Sequence, residues 1–480
     1  YSGTASDEYY YSNTSTYAGK SLNLLVGTQQ HLANNAVGSN NGLNIIAPNR
    51  TAPTQGLISY IASDYNTGWM HGDIKLATLS DTDTTNLPVI PFSDDFSNSD
   101  NWTHVDTSIS GGTLNIASVT SARASNSNWN GVTGNQYVVK INVTAITGVI
   151  RLDDDGAGGG AGSVTNYATI SSTGIQYFHI TKTASARFRV LRQSGSASIT
   201  EIEVHNKEPD RSVNNNGLQV FGSIAKDPVA TGADLVGYDF GSSNANHLKV
   251  PYNSSIASLG TSWTFVTWIH RDTTSGWDFM LSIDGPSAIH GAGIKFDSNQ
   301  LLMVSPYQGY GHNTTATSTS NAFGNDLDWQ MIAITCNGST TSFYRNGRLS
   351  SSDAKAPSLS LPDSTYYLTI GAEAEHSTGG PTDGRDKSMA LLRLSATVAT
   401  AEQIAKMYRD EKPLFQENAK ATLYGTSDSV TALAYDDDTE LLHAGTSAGR
   451  SVFQGLRRVD NTTDAVGVAI SASNDLVVEE

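Results

Sequence analysis

"SWTFVTWIH" (262–270) and "DWQMIAITCNGSTTSFYRNGRLSS" (328–351) decide how this chain is read. Both alternate apolar and polar side chains, the period-two pattern of strands with one buried face. The pattern also holds in "LVGYDFGSSNANHLKVP" (235–251), "YYLTIGAEAE" (366–375) and the first part of "MALLRLSATVATAEQIAKMYRDE" (389–411). In the last of these the period changes: Ile404, Met407 and Tyr408 fall at helical spacing after Thr400, a residue suited to cap a helix N-terminus. The expectation is a two-layer all-β sandwich closed by a short helix.

Composition narrows the function. Charged residues make up 16% of the chain while Gly, Ser, Thr and Asn abound, a balance that suits strands joined by polar turns. A formal net charge of −17 argues against nucleic acid as a partner, because tracking phosphates needs a basic face. It also disfavours docking to anionic lipid, and no apolar run approaches the ~20 residues that span a bilayer. Cys336 is the sole cysteine, so no intrachain disulfide exists; alternating with Ile332 and Ile334, it reads as a small buried hydrophobe. The chain opens at Tyr1 without the basic and apolar regions of a signal peptide, and is expected to be part of a longer polypeptide.

Within 234–416 the order of anchors resembles the laminin-G-like branch of the concanavalin A-like lectin/glucanase superfamily. That pattern runs F-D-G…V-P, F-T…W, W-H-H-V-A-x-T-x-D-G…Y-V-D-G, an I-G strand, then I-D-E-V-R-I-Y and a short helix. Phe240, Val250, Pro251, Phe265, Trp268, Trp329, Ala333, Thr335, Gly338, Tyr344, Gly347, Ile370, Gly371 and Arg393 stand at matching places. Asn337 and Asn346 stand where the family often has Asp, and Ala390 replaces the Asp of I-D-E-V.

The flanks divide around this core. Residues 1–93 hold strand-like runs at 21–27, 42–48, 56–62 and 73–79, paired as in the blades of a β-propeller. Residues 94–207 carry alternating runs such as "QYVVKINVTAI" (136–146) and "ASITEIEVHNK" (197–207), and resemble a carbohydrate-binding-module-like jelly roll. Residues 208–233 read as a linker whose "GLQVFGSIA" adds a strand to the propeller-like framework, and 417–480 as a second propeller-like segment. The fold class expected is therefore all-β: two sandwiches flanked by propeller-like strands.

Candidate sites are sparse. Gly445-Thr446-Ser447-Ala448-Gly449 fits the G-x-S-x-G formula, but a strand pattern follows where a nucleophile elbow needs a helix, so a hairpin is expected. "DDDGAGGGAG" (153–162) likewise lacks the helix that a phosphate cradle requires. Glu373 and Glu375, alternate residues on one strand face, are the nearest echo of a glycosidase carboxylate pair. Glu373, Asp383 and Asp386 offer hard oxygens at a loop rim suited to calcium. Sugar surfaces use exposed aromatics with nearby amides and carboxylates, which nominates Trp277, Tyr307, Tyr310 and His312 in Gly-containing settings. Trp263, Trp268 and Trp329 lie in strand patterns and are assigned to the core, while Trp102 and Trp129 suit either role.

Lectin-like and sandwich modules set among propeller-like strands resemble components of bacteriophage tails, such as nozzle, tubular or fibre-associated proteins. The resemblance implies a non-enzymatic virion component binding other tail proteins and host-surface glycans. It also implies a homo-oligomer, hexameric for a nozzle or trimeric for a fibre. The alternatives are a polysaccharide depolymerase of the same superfamily and a bacterial surface adhesin.

Overall fold

The computed structural model describes residues 23–24, 42–47 and, from 56 to 479, all but 88–91, 99–100, 127–128, 130, 155–164, 184–186, 273–277, 286–289, 297–301, 307–315, 320–327, 377–379, 383–386, 437 and 468. The architecture is all-β, and all sheet pairing is antiparallel. Two sheets form the central sandwich. One is eight-stranded, with Lys387–Ser395 hydrogen-bonded to Ser262–Arg271, then Gln330–Asn337, Thr341–Arg345 and Arg348–Asp353. The other runs Leu218–Phe221, His247–Val250, Tyr367–Ile370, Asp278–Asp284 and His290–Phe296. Phe240, Leu248, Val250, Trp263, Phe265, Ile332, Ile334, Leu368, Ile370 and Leu394 fill the space between them.

The central strands of the first sheet, Ser262–Arg271, Gln330–Asn337 and Lys387–Ser395, are buried on both faces, where the sequence suggests one. Every residue of Gln330–Asn337 except the last is buried. Val266, Trp268, Met331 and Ala333 point away from the sandwich interior into a second core. The helix Ala401–Glu411 supplies Ile404 and Met407 to it, the N-terminal part Leu43, Ile45 and Trp69, and the C-terminal part Leu442 and Phe453. Phe415 stacks on Trp268 with ring centroids 4.1 Å apart. The helix starts as its sequence requires: Thr400 and Gln403 form a reciprocal capping box.

Three boundary expectations change. Ile74–Thr78, placed by sequence in the 1–93 segment, pairs with Lys387–Ser395 and belongs to the sandwich (Leu394↔Leu76, Leu392↔Thr78). It takes over the edge of Lys387–Ser395 where Val236–Asp239 leaves off, at Leu391, whose φ of 49° interrupts the regular strand. Leu218–Phe221 is not framework of a propeller; it lies between Ala197–Glu208 of the second module and His247–Val250, making one sheet of thirteen strands across both modules. The outer segments each build a four-stranded sheet, Asn23–Leu24 to Met70–His71 and Val430–Asp436 to Arg457–Asn461, but both pack onto the sandwich through the second core. Asn66 joins them, its side-chain amide donating to the Ala421 and Leu456 carbonyls at 2.9 and 3.0 Å.

The junction between the modules is buried and polar. Asp210 accepts from the Ala77, Ser212 and Asn216 amides at 2.9–3.0 Å, which folds the 209–217 connection onto Ile74–Thr78. The Tyr238 hydroxyl donates to Glu208 at 2.7 Å, and burial, reinforced by the Asp81 carboxylate, pushes Glu208 up to about 7.

One ion pair ties most of this together. Arg393 meets Glu411 through two parallel bonds of 2.7 and 3.0 Å, both side chains buried. The same carboxylate accepts from the Trp69 amide at 2.8 Å and the Trp268 indole at 2.7 Å. Glu411→Ala strips the acceptor from a buried guanidinium and two N–H groups at once. The expected loss is about 3–5 kcal/mol, read as a lower urea midpoint at unchanged slope, with Glu411→Gln losing less because it still accepts from the indole.

Candidate functional site

The helix and both terminal segments pack on the eight-stranded sheet, which leaves the outward side of the thirteen-stranded sheet to be considered; Gln219, His247, Ser282 and Thr369 on it are buried. Strand alternation sends Leu218, Val220, Leu248, Val250, Leu368 and Ile370 inward, so Gln219, Phe221, His247, Lys249, Tyr367 and Thr369 stand on the outer face. Register aligns them into a row: Lys207 opposite Gln219, Gln219 opposite Lys249, Lys249 opposite Thr369, and Thr369 opposite Ser282. Directly opposed residues lie roughly 4.5–5.5 Å apart at Cβ, so these are neighbours.

Beside the row runs an aromatic strip. Phe221 stacks on His247 with centroids 4.6 Å apart and planes 8° apart, and His205 packs near it at 4.3 Å. The Lys249 ammonium lies 3.8 Å from the centre of the Tyr367 ring and 4.8 Å from that of Phe221. Ser282 donates to Asp284 at 2.6 Å. Three buried polar atoms here have no hydrogen-bond partner: Gln219 Nε2, Thr369 Oγ1 and His247 Nδ1. Buried polar groups are nearly always paired. Burial, helped by the Lys249 charge, holds His247 down at about 3, so its ring is neutral at physiological pH. His179 is likewise held down at about 4 by burial and by Lys207.

The aromatic candidates Trp277, Tyr307, Tyr310 and His312 lie outside the described residues, as do Asp383 and Asp386 of the suggested calcium rim. Glu373 is buried at 2% exposure, at the start of the Glu373–His376 hairpin strand, so it does not present an open acid for hydrolysis. Among the described residues no group of three or more His, Cys, Asp or Glu is placed to hold a metal ion. Trp263 and Trp268 are core, as expected, and Trp329 is half-buried at the second core. Trp102 and Trp129 are core too; Trp129 meets Tyr137, Tyr167 and Phe188 edge-on, which rules it out as an exposed stacking platform. Gly445–Gly449 forms the hairpin turn between Leu441–Thr446 and Gly449–Gln454, with no helix following. In the second module an open acidic cleft of about 320 Å³ is lined by Asp94, Asp95, Asn101, Glu201 and Glu203. Lys140 neutralises much of it, 2.8 Å from Glu201 and 3.4 Å from Glu203.

Sequence reading passed over the outer row, although its signal is visible: Gln219, Lys249 and Thr369 are polar positions that alternate with apolar ones within the runs "LQVF", "HLKV" and "YLTI".

Residues 242–405 match the family model described as the concanavalin A-like lectin/glucanases superfamily, of laminin-G type. No curated protein matches in sequence. Among solved structures, the binding domain of a paraclostridial mosquitocidal protein is similar at 14% identity and a TM-score of 0.34, over 51% of this chain and 62% of that one. The binding domain of botulinum neurotoxin DC, solved with rat synaptotagmin II, gives 18% identity and 0.33, over 52% and 59%. Domain 4 of a GH43 extracellular arabinanase from Geobacillus stearothermophilus, solved with arabinotriose, gives 13% identity and 0.29, over 39% and 82%. The chain thus spans about three fifths of the first two structures.

A pH prediction follows from His247. Its folded form resists a proton that the unfolded chain accepts below about pH 6.5, so stability falls as pH drops through that value toward 3. At most ~1.4 kcal/mol per pH unit is lost. Urea titrations at neutral and mildly acidic pH are expected to show this slope, and His247→Asn to flatten it.

Proposed function

We propose that this chain, built around a concanavalin A-like lectin domain, is a structural component of a bacteriophage tail that adheres to host-surface glycans and does not cleave them. The observation that carries the adhesive part is the asymmetry of the sandwich. One sheet is sealed by a second core, while the other carries on its outward side a row of polar groups beside aromatic rings, with Gln219 Nε2 and Thr369 Oγ1 left without a hydrogen-bond partner. Amides, hydroxyls and a carboxylate next to ring faces are what sugar recognition uses.

The tail role draws on the acidic balance, the lack of disulfides and a framework in which every segment leans on the same sandwich. In a virion the chain is a homo-oligomer, a hexamer as a nozzle or a trimer as a fibre component, in contact with other tail proteins. Copies arrayed in this way multiply weak single-site contacts by avidity. The burial of Glu373 weighs against the depolymerase alternative.

The test uses the whole chain, because a fragment limited to 208–416 would expose the second core and lose the Ile74–Thr78 strand. Displayed in many copies, it is expected to bind host cells and surface polysaccharide with an apparent Kd on the order of micromolar, against millimolar for one copy. It is expected to release no reducing ends. Mass spectrometry of purified virions reads the tail assignment. Absence of the chain from virions removes that assignment, and failure of the multivalent form to bind cells or glycans removes adhesion.

A further inference from the structure

We infer that Glu208 is a latch worked by a proton: as a neutral acid it keeps the seam between the two sandwiches shut, and as a carboxylate it loosens that seam.

The first ground is position. Glu208 ends Ala197–Glu208, the strand through which the second module joins the shared sheet, and it stands opposite Leu218. Opposed residues point to the same face, so its carboxyl follows Leu218 toward the core of the central sandwich and is 3% exposed. The two modules are zipped here through two register positions, Lys207–Gln219 and Glu208–Leu218. Just beyond, the Thr78 hydroxyl donates to the Pro209 carbonyl at 3.0 Å, and the Ala77 amide donates to Asp210 at 3.0 Å. A charge appearing at Glu208 therefore acts on a short stretch that fastens the second module to the sandwich and to Ile74–Thr78.

The second ground is what surrounds the carboxyl. Tyr238 faces it from Val236–Asp239, Lys226 from Ala225–Pro228, Asp81 from beyond Ile74–Thr78, and Arg211 from the connection. Tyr238 donates its hydroxyl at 2.7 Å and, raised well above the usual tyrosine range by burial, stays a donor throughout. Both cations are committed elsewhere. Lys226 Nζ lies 2.7 Å from Asp81 and 3.9 Å from Asp83, while Arg211 reaches Asp64 at 4.0 Å and covers the Tyr65 ring. Among the described residues no ion pair involves Glu208. A buried carboxylate without its own cation, close to a second carboxylate, is costly, and a proton removes that cost. Burial, with Asp81 adding to it, keeps the proton on up to about 7, against an ordinary value of 4.5. The seam is thus strongest below 4.5, weakens as pH rises from there to about 7, and changes no further above it.

Hydrogen exchange of the whole chain, corrected for the intrinsic pH dependence of amide exchange, reads the seam through peptides covering 197–208, 218–221 and 74–78. From about pH 5.5 to about pH 8, opening at these peptides is expected to rise at least roughly tenfold. Glu208→Gln, a neutral group of the same shape, is expected to abolish the rise. In parallel, NMR of carboxyl-labelled glutamate follows the Glu208 resonance, with a midpoint expected near 7. Tyr238→Phe removes a donor that favours the carboxylate and is expected to move this midpoint upward, which identifies the resonance even if Glu208→Gln fails to fold. Seam exchange that does not change with pH overturns the inference. So does a rise that survives in folded Glu208→Gln, or a carboxyl midpoint at the ordinary 4.5.

Discussion

The Arg393–Glu411 pair sets how the molecule is put together. Arg393 sits on the strand shared by three neighbours, and Glu411 ends the helix that crosses the outer face of that sheet. Their carboxylate–guanidinium fork also captures Trp69 and Trp268, so a single buried charge is neutralised while the N-terminal segment, sheet and helix are held in one arrangement. Burying two charges is tolerable only with such geometry and with every carboxylate lone pair used. Around this point the apolar groups Ile404, Met407, Leu414 and Phe453 close, and the outer face of the eight-stranded sheet ceases to be a surface.

Covering one side gives the other its role. A sandwich with two solvated faces could recognise a partner on either; here the choice is made by packing. The thirteen-stranded sheet retains alternation in its simplest form, with apolar residues inward and Gln219, Lys249, Thr369 and Ser282 outward. Gln219 Nε2 and Thr369 Oγ1 lack a hydrogen-bond partner there, which costs stability. The cation resting against Tyr367 and Phe221 keeps those rings from forming a bare apolar patch.

Local features were legible in the sequence because local physics decides them. Thr400 caps its helix, the Gly445–Gly449 stretch turns a hairpin, and Cys336 is buried in the same core as Ile332 and Ile334. Asn346, standing where the family often has Asp, takes φ of 48° ahead of Gly347 and exchanges two bonds with Met331, through its backbone N–H at 2.9 Å and its side-chain oxygen at 3.0 Å. Asn tolerates that conformation well, so the departure serves the turn. What was not legible depends on partners far away in the chain. Ile74–Thr78 reads as a strand, but nothing in its own residues names Lys387–Ser395, roughly 300 positions on, as its mate. Two-sided burial of Ser262–Arg271 was hidden for the same reason: Trp268 looks like a core residue whichever face it serves. The outer row is not legible in the sequence because a polar residue at every second strand position looks like ordinary solvation until its neighbours across the sheet are known.

The shared sheet also bears on how such chains are reassembled over evolutionary time. Ala197–Glu208 and Leu218–Phe221 are zipped at Lys207–Gln219 and Glu208–Leu218, and the intervening connection is wired to Ile74–Thr78 through Asp210. A cut between the two sandwiches would therefore leave a raw strand edge on each fragment. An exchange of the second sandwich for another must carry it, the seam and the strand at 74–78 as one cassette, or supply a donor whose edge already carries the same register.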